Sequence, residues 1–214
     1  MQSLTEAILE QGLANRFLSE RQLNRALGGP AARRYGLVNR ALKARELVRI
    51  RRGLYVLASR YRPGPPHPFA IAQALTPGSY VSFETALGFH GWIPEATRVT
   101  ASVVRGRKSS VYEHPMFGSF TFHPLALRPE GFLELIERRE LAGQVALLAH
   151  PLRALLDLVC LRKLPWQGLH WLIQGMRIEP DSLHTVSSAQ IEILTTVYKQ
   201  KRPRQFLNAL AEEL

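Results

Sequence analysis

Cysteine is nearly missing from this chain: Cys160 is the only one in 214 residues. A single cysteine excludes an internal disulfide. Its place in the apolar run Leu155–Leu161 predicts a buried, inert thiol rather than a nucleophile. Long apolar runs are missing too. No stretch approaches the roughly 18 consecutive apolar residues of a membrane-spanning helix, so none is expected. The opening MQSLTEAILEQGLAN carries two Glu and no long apolar run, and is expected to be neither signal peptide nor membrane anchor. A cytoplasmic protein without membrane partners is the expectation. No phosphate-binding glycine loop, Cys/His metal spacing or nucleophile elbow occurs, and the seven histidines are dispersed with no H-x-x-x-H pair. Catalytic residues, metal ligands and cofactors are therefore all expected to be none, and the chain is not expected to be an enzyme. His90 beside Gly91-Trp92 and His150 beside Pro151 read as structural histidines. Glu84 and Asp157 are the acids most embedded in apolar sequence, where capping or an internal ion pair is the expected role.

Acid is also scarce, and where it is scarce is informative. The 28 Lys/Arg exceed the 17 Asp/Glu to leave a net charge of +11. Up to Arg62 there are 13 basic and 4 acidic residues, a net of +9; the remaining 152 residues hold 15 and 13. Positive charge gathered into one segment is an electrostatic footprint for phosphate. Hydrophobic residues make up 46% and charged ones 21%, enough apolar material for packed cores and too little charge for a disordered chain. Arg62-Pro-Gly-Pro-Pro-His-Pro68 has four prolines in seven residues and reads as a stiff extended linker. The expected organisation is a winged helix-turn-helix DNA-binding domain over residues 1–62, a linker over 63–68, and an α+β domain over 69–214 ending in helices.

In the basic segment, Ser3-Leu4-Thr5-Glu6 and Ser19-Glu20-Arg21-Gln22 have capping-box spacing and open two helices. Leu4, Ile8 and Leu13 form the inward stripe of the first, and Leu23, Ala26 and Leu27 that of the second. Gly28-Gly29 ends the second helix in a tight turn, and Pro30 suits the first position of a third. On that third helix the period places Ala31, Tyr35, Val38 and Leu42 on the core side. Arg33, Gly36, Arg40 and Lys43 point away, with Asn39 and Ala32 on a flank. Leu47–Ile50 and Leu54–Leu57, separated by Arg51-Arg52-Gly53, predict a hairpin. Arg and Asn can bind guanine and adenine edges in bidentate fashion, so Arg33, Asn39 and Arg40 are candidates for base contact. Arg34 and Arg45 lie nearer the core side and are expected to reach phosphates or cover neighbouring helices. Lys43 and Arg49 complete the DNA-contact candidates, and Arg51 and Arg52 at the hairpin tip suit the minor groove or its flanking phosphates.

Past the linker, helices are expected at Phe69–Leu75, Glu84–Phe89 and His150–Leu161, and strands at Tyr80–Val81, Thr97–Arg105, Ser110–Glu113, Ser119–Leu125 and Val145–Ala149. Leu133–Leu141 fits helix and strand equally. Further helices are expected near Trp166–Met176 and over Ser188–Lys201, with Pro203 marking a break before a last helix, Arg204–Glu213.

The stretch YGLVNRALKARELVRIRRGLYVLA closely resembles the winged-helix end of the AbiEi-type antitoxins, transcriptional regulators of bacterial toxin–antitoxin and phage-defence pairs. The resemblance continues in PFAIAQALTPGSYVSFETALGFHGWIPE and, less sharply, in AHPLRALLDLVCL, so it spans residues 19–162 and weakens in the helical tail. It implies a repressor that binds inverted repeats of double-stranded DNA in its own promoter. It also implies a second domain acting as antitoxin to a nucleotidyltransferase-like toxin encoded alongside. By analogy Arg33, Asn39, Arg40, Lys43, Arg51 and Arg52 carry the DNA role. The alternative is a stand-alone, ligand-responsive winged-helix transcription factor with no toxin partner. Inverted repeats require two copies on the DNA, yet no heptad pattern occurs; a monomer, or a dimer formed on DNA, is expected.

Overall fold

The computed structural model describes residues 3–95 and 98–214. It is a mixed α+β chain with two sheets. It divides into two units: residues up to Pro77 together with Glu140–Val145, and Gly78–Arg139 together with Ala146–Leu214.

The first unit contains α1 (Leu4–Glu10), β1 (Leu18–Ser19), α2 (Glu20–Leu27), α3 (Ala31–Lys43), β2 (Leu47–Arg51), β3 (Leu54–Leu57) and α4 (Pro68–Leu75). Both capping boxes form as their spacing predicts: Ser3 caps α1 with Glu6 reaching back, and Ser19 caps α2 with Gln22 doing the same. β1, too short to announce itself in the sequence, pairs with β3, giving an antiparallel sheet in the order β1-β3-β2. The core gathers Leu4, Ile8, Leu18, Leu23, Leu37, Ala41, Leu47 and Leu57, with Leu13, Leu27, Val38 and Leu42 partly buried around it. Each such leucine contributes about 1.5–3 kcal/mol by leaving water.

Several expectations need correction here. Ala26 and Leu27 are only half-buried. Pro30 stands at the N-cap of α3 with extended backbone rather than in its first turn. The buried face of α3 centres on Leu37 and Ala41, which leaves Ala31 exposed and Tyr35 72% exposed. The pattern on this helix is ambiguous because apolar residues occupy more than half its circumference, and the packing against α1 and β2 chooses among them.

Asn15 anchors the hairpin tip Glu140–Val145 within the first unit. Its Nδ2 donates to the Ala142 carbonyl (3.0 Å) and its own carbonyl accepts from Gln144 Nε2 (3.1 Å). Arg62 Nη2 donates to Asn15 Oδ1 (3.0 Å), and the His67 amide to Gln144 Oε1 (2.9 Å). Gly143 stands at φ +70°, a conformation that L side chains rarely adopt, and a Cβ there would sit 2.8 Å from Asn15 Nδ2 and displace that amide.

The second unit is built on β4 (Tyr80–Val81), β5 (Val99–Val104), β6 (Ser110–His114), β7 (Gly118–Pro124), β8 (Ile136–Leu141) and β9 (Gln144–Ala149). Their order is β6-β7-β5-β4-β9-β8, with β4–β9 and β5–β7 parallel and β4–β5 and β6–β7 antiparallel. The helices are α5 (Phe83–Phe89), α6 (Pro151–Arg162), α7 (Pro180–His184), α8 (Ser188–Thr195) and α9 (Lys201–Glu213), with a π-helical turn at Trp171–Gly175. Leu133–Leu141 resolves as a strand from Ile136 onward. The helix expected over Trp166–Met176 shrinks to little more than the π turn, and α7 follows it unanticipated. The helix expected over Ser188–Lys201 ends at Thr195, and α9 begins at Lys201, running through Pro203 instead of starting after it. Pro203 falls in the first turn, where its missing N–H has no intrahelical partner to lose. Thr97, at the start of one expected strand, lies outside the described residues, as do Met1 and Gln2 of the opening segment.

Ten consecutive residues of α6, Pro151 to Cys160, are buried, Arg153 and Asp157 completely. Asp157 accepts from Arg153 Nε (3.0 Å), Tyr198 OH (2.8 Å), Tyr80 OH (3.0 Å) and Ser82 Oγ (2.7 Å). Arg153 directs three of its other N–H donors to the carbonyls of Gly131 (3.1 Å) and Glu134 (2.9 Å) and to Tyr80 OH (2.7 Å). Burial opposes the Arg153 charge, but Asp157 and the two tyrosines more than restore it, so its pKa is raised. The expected internal ion pair for Asp157 is this one; Glu84 pairs with Arg162. Burial, with the Asp157 charge, pushes the Cys160 thiol up to about 11, which makes it a poor nucleophile.

Candidate nucleic-acid interface

The turn between α2 and α3 is where the basic segment is organised. Gly28 and Gly29 take φ of +57° and +72°, conformations that L side chains avoid. Two arginines from the first turn of α3 fold back over them. Arg33 Nη1 donates to the Leu27 carbonyl (3.3 Å); Arg34 Nε donates to Asn24 Oδ1 (2.9 Å), and its Nη1 to the Gly29 carbonyl. A guanidinium has five N–H donors, so each retains others for an external acceptor.

At the other end of α3, the Arg60 guanidinium donates to the Ala44 carbonyl (3.2 Å), satisfying one of the carbonyls a helix C-terminus leaves open. Beyond it, the β2–β3 hairpin pairs Leu47 with Leu57, Val48 with Val56, Arg49 with Tyr55 and Arg51 with Leu54; the register slips between Arg49 and Arg51. That bulge explains why the sequence alternates only partly: Leu47 and Ile50 are both buried although an odd number of residues apart. It also presents Arg51 and Arg52 together, both exposed, at a turn closed by Gly53 with φ +77°.

Between α2, α3 and this hairpin lies a cleft of about 620 Å³. Arg34, Asn39, Arg49 and Arg52 line it, together with Asn24 and Tyr35. Half of the eight candidate residues thus converge on one concavity, although they come from α3 and from the hairpin. Glu20, at the start of α2, is the acid on its wall, and its backbone amide donates to the Gly53 carbonyl (3.1 Å). Arg33, Arg40 and Lys43 are exposed on α3 outside the cleft, and Arg51 is exposed at the hairpin tip. Tyr35 lines the cleft although the helical period points it to the core, and Asn24 carries no local signal because only the Gly28-Gly29 turn brings it against Arg34.

In the second unit His90 and Trp92 make structural contacts. Trp92 is buried. His90 Nε2 lies 3.0 Å from the Ala149 carbonyl and 3.6 Å from Glu137 Oε1, and burial lowers the His90 pKa. Among the described residues no group of three or more His, Cys, Asp or Glu is placed to hold a metal ion, and no helix is long and apolar enough to cross a membrane. No protein-family model matches this chain, and no curated protein matches it either.

Proposed function

We propose that the first unit is a winged helix-turn-helix that binds duplex DNA, with α3 as the recognition helix and the β2–β3 hairpin as the wing. The observation that carries this reading is the cleft shared by Arg34, Asn39, Arg49 and Arg52. It offers two elements at once to a phosphate backbone, in the segment that holds nearly all of the chain's excess charge. Arg33, Arg40 and Lys43 on α3 then face the bases and flanking phosphates, and Arg51 and Arg52 reach the neighbouring backbone. Tyr35, exposed on the same helix, joins them as an aromatic contact to sugar or a thymine methyl.

The biological role follows from the resemblance to AbiEi-type antitoxins: a cytoplasmic repressor of its own operon that also neutralises a nucleotidyltransferase-like toxin. It works as a monomer in solution and pairs on inverted repeats. A gel-shift titration against the DNA upstream of its gene tests the repressor role. Binding that survives excess unrelated duplex supports it, and binding that any duplex competes away sinks sequence-specific repression. Replacing Arg40 by Ala should cost about 1–3 kcal/mol and relax preference at one base pair if that side chain reads a base. Growth arrest by the adjacent gene, relieved on co-expression of this chain, tests the antitoxin role; no relief, or no such gene, rejects it.

A further inference from the structure

A cleft of about 760 Å³ lies wholly within the second unit, over one face of the parallel neighbours β5 and β7. Its volume is that of sites that enclose small molecules. The pleat brings Val99 and Ala101 of β5 and Thr121 and His123 of β7 to its floor. Phe83, Leu161, Trp171 and Met176 supply apolar walls.

Two features mark this cleft as built rather than left over. Phe83, a bulky non-glycine residue, is held at φ +58°, a conformation that the surrounding packing must enforce. Trp171 stands in a π-helical turn, an irregularity that recurs at functional sites, and its indole packs so closely on Gly175 that a Cβ there would lie 2.9 Å from Cδ1.

The polar groups around the cleft are unbalanced. Both acids are engaged: Glu84 pairs with Arg162 and Glu95 with Arg177. The Thr85 hydroxyl donates to the Val99 carbonyl (2.9 Å) and accepts from the Ala101 amide (3.1 Å). Arg98, His123 and the Trp171 indole remain, each able to donate an N–H and none with a hydrogen-bond partner among the described residues. Apolar and aromatic walls beside uncommitted donors fit one class of ligand. We propose that this cleft binds a small aromatic carboxylate, its ring between Phe83 and Trp171 and its carboxylate on the Arg98 guanidinium at the exposed rim.

The inference stands apart from the DNA-binding reading, and its test uses no DNA. The full chain is titrated with 2-naphthoate and with neutral 2-naphthamide, by calorimetry and by protein NMR shifts. One-site binding of 2-naphthoate is expected, with the amide weaker by about tenfold or more, the worth of a charge-assisted hydrogen bond. Arg98→Ala, at an exposed position, should bring the acid down to the affinity of the amide without moving the melting temperature. Ala101→Phe should fill the cleft and remove both. Absence of saturable binding overturns the proposal. So does equal affinity for the two probes, or an Arg98→Ala variant that binds 2-naphthoate as tightly as the parent.

Discussion

Asp157 accepts four hydrogen bonds with none of its surface exposed, and all four donors come from different positions in the second unit. Removing it leaves the Arg153 guanidinium buried without its counter-charge. Asp157→Ala should therefore lower unfolding free energy by about 3–5 kcal/mol, read from urea unfolding. An effect below 1 kcal/mol would mean that the two tyrosines and the carbonyls hold Arg153 unaided. His90 and His150 predict the pH response. Their rings are 6.4 Å apart, and both pKa values are lowered by burial, His150 also by the His90 charge; Glu137 works in the opposite direction and Arg139 adds to the lowering at His90. His67 and His123 are lowered by burial as well. The folded state then binds fewer protons than the unfolded chain, whose histidines titrate near pH 6.5. Stability contributed by these neutral histidines is full above about pH 6.5 and is lost as pH falls through the lower folded values. Urea midpoints measured from pH 8 to pH 5 should hold level and then drop below about 6.5, with a shallower drop in His150→Gln.

At the scale of elements, α3 carries the informative conflict. Gly36 sits in mid-helix, where glycine is unfavourable, yet a Cβ there would meet only the Arg40 guanidinium, at 3.5 Å. The fold does not require this glycine. Gly36→Ala should raise stability by about 0.5–1 kcal/mol. If α3 enters a DNA groove, the same variant should bind its operator more weakly, because the added methyl holds the helix off. A thermal melt and a gel shift on one preparation separate the two effects, and unchanged operator affinity would remove close groove approach as the reason for Gly36. The caps of α1 and α2 were legible from sequence because a capping box is complete within four residues. Tyr35 was not, because helical periodicity gives directions relative to a face whose centre is set by α1 and β2.

For the whole molecule, the governing quantity is the segregation of charge. If the first unit binds duplex DNA, log affinity should fall linearly with log salt concentration, and Arg51→Ala and Arg52→Ala should each reduce that slope by about 1 while leaving the preferred sequence unchanged. A slope unaffected by both would take the hairpin off the DNA. Composition, charge placement, capping boxes, the glycine turn and the proline run are properties of neighbouring residues, and the amino-acid sequence by itself determined them. It also located the two embedded acids, Glu84 and Asp157. Tertiary structure alone decided the bulge that brings Arg51 and Arg52 forward, the Arg34–Asn24 contact, the parallel pairing of β5 with β7, and the four donors on Asp157. Each of these joins groups far apart along the chain or depends on which of several apolar faces packs inward, and that choice is made by burial summed over the whole unit rather than by any local spacing.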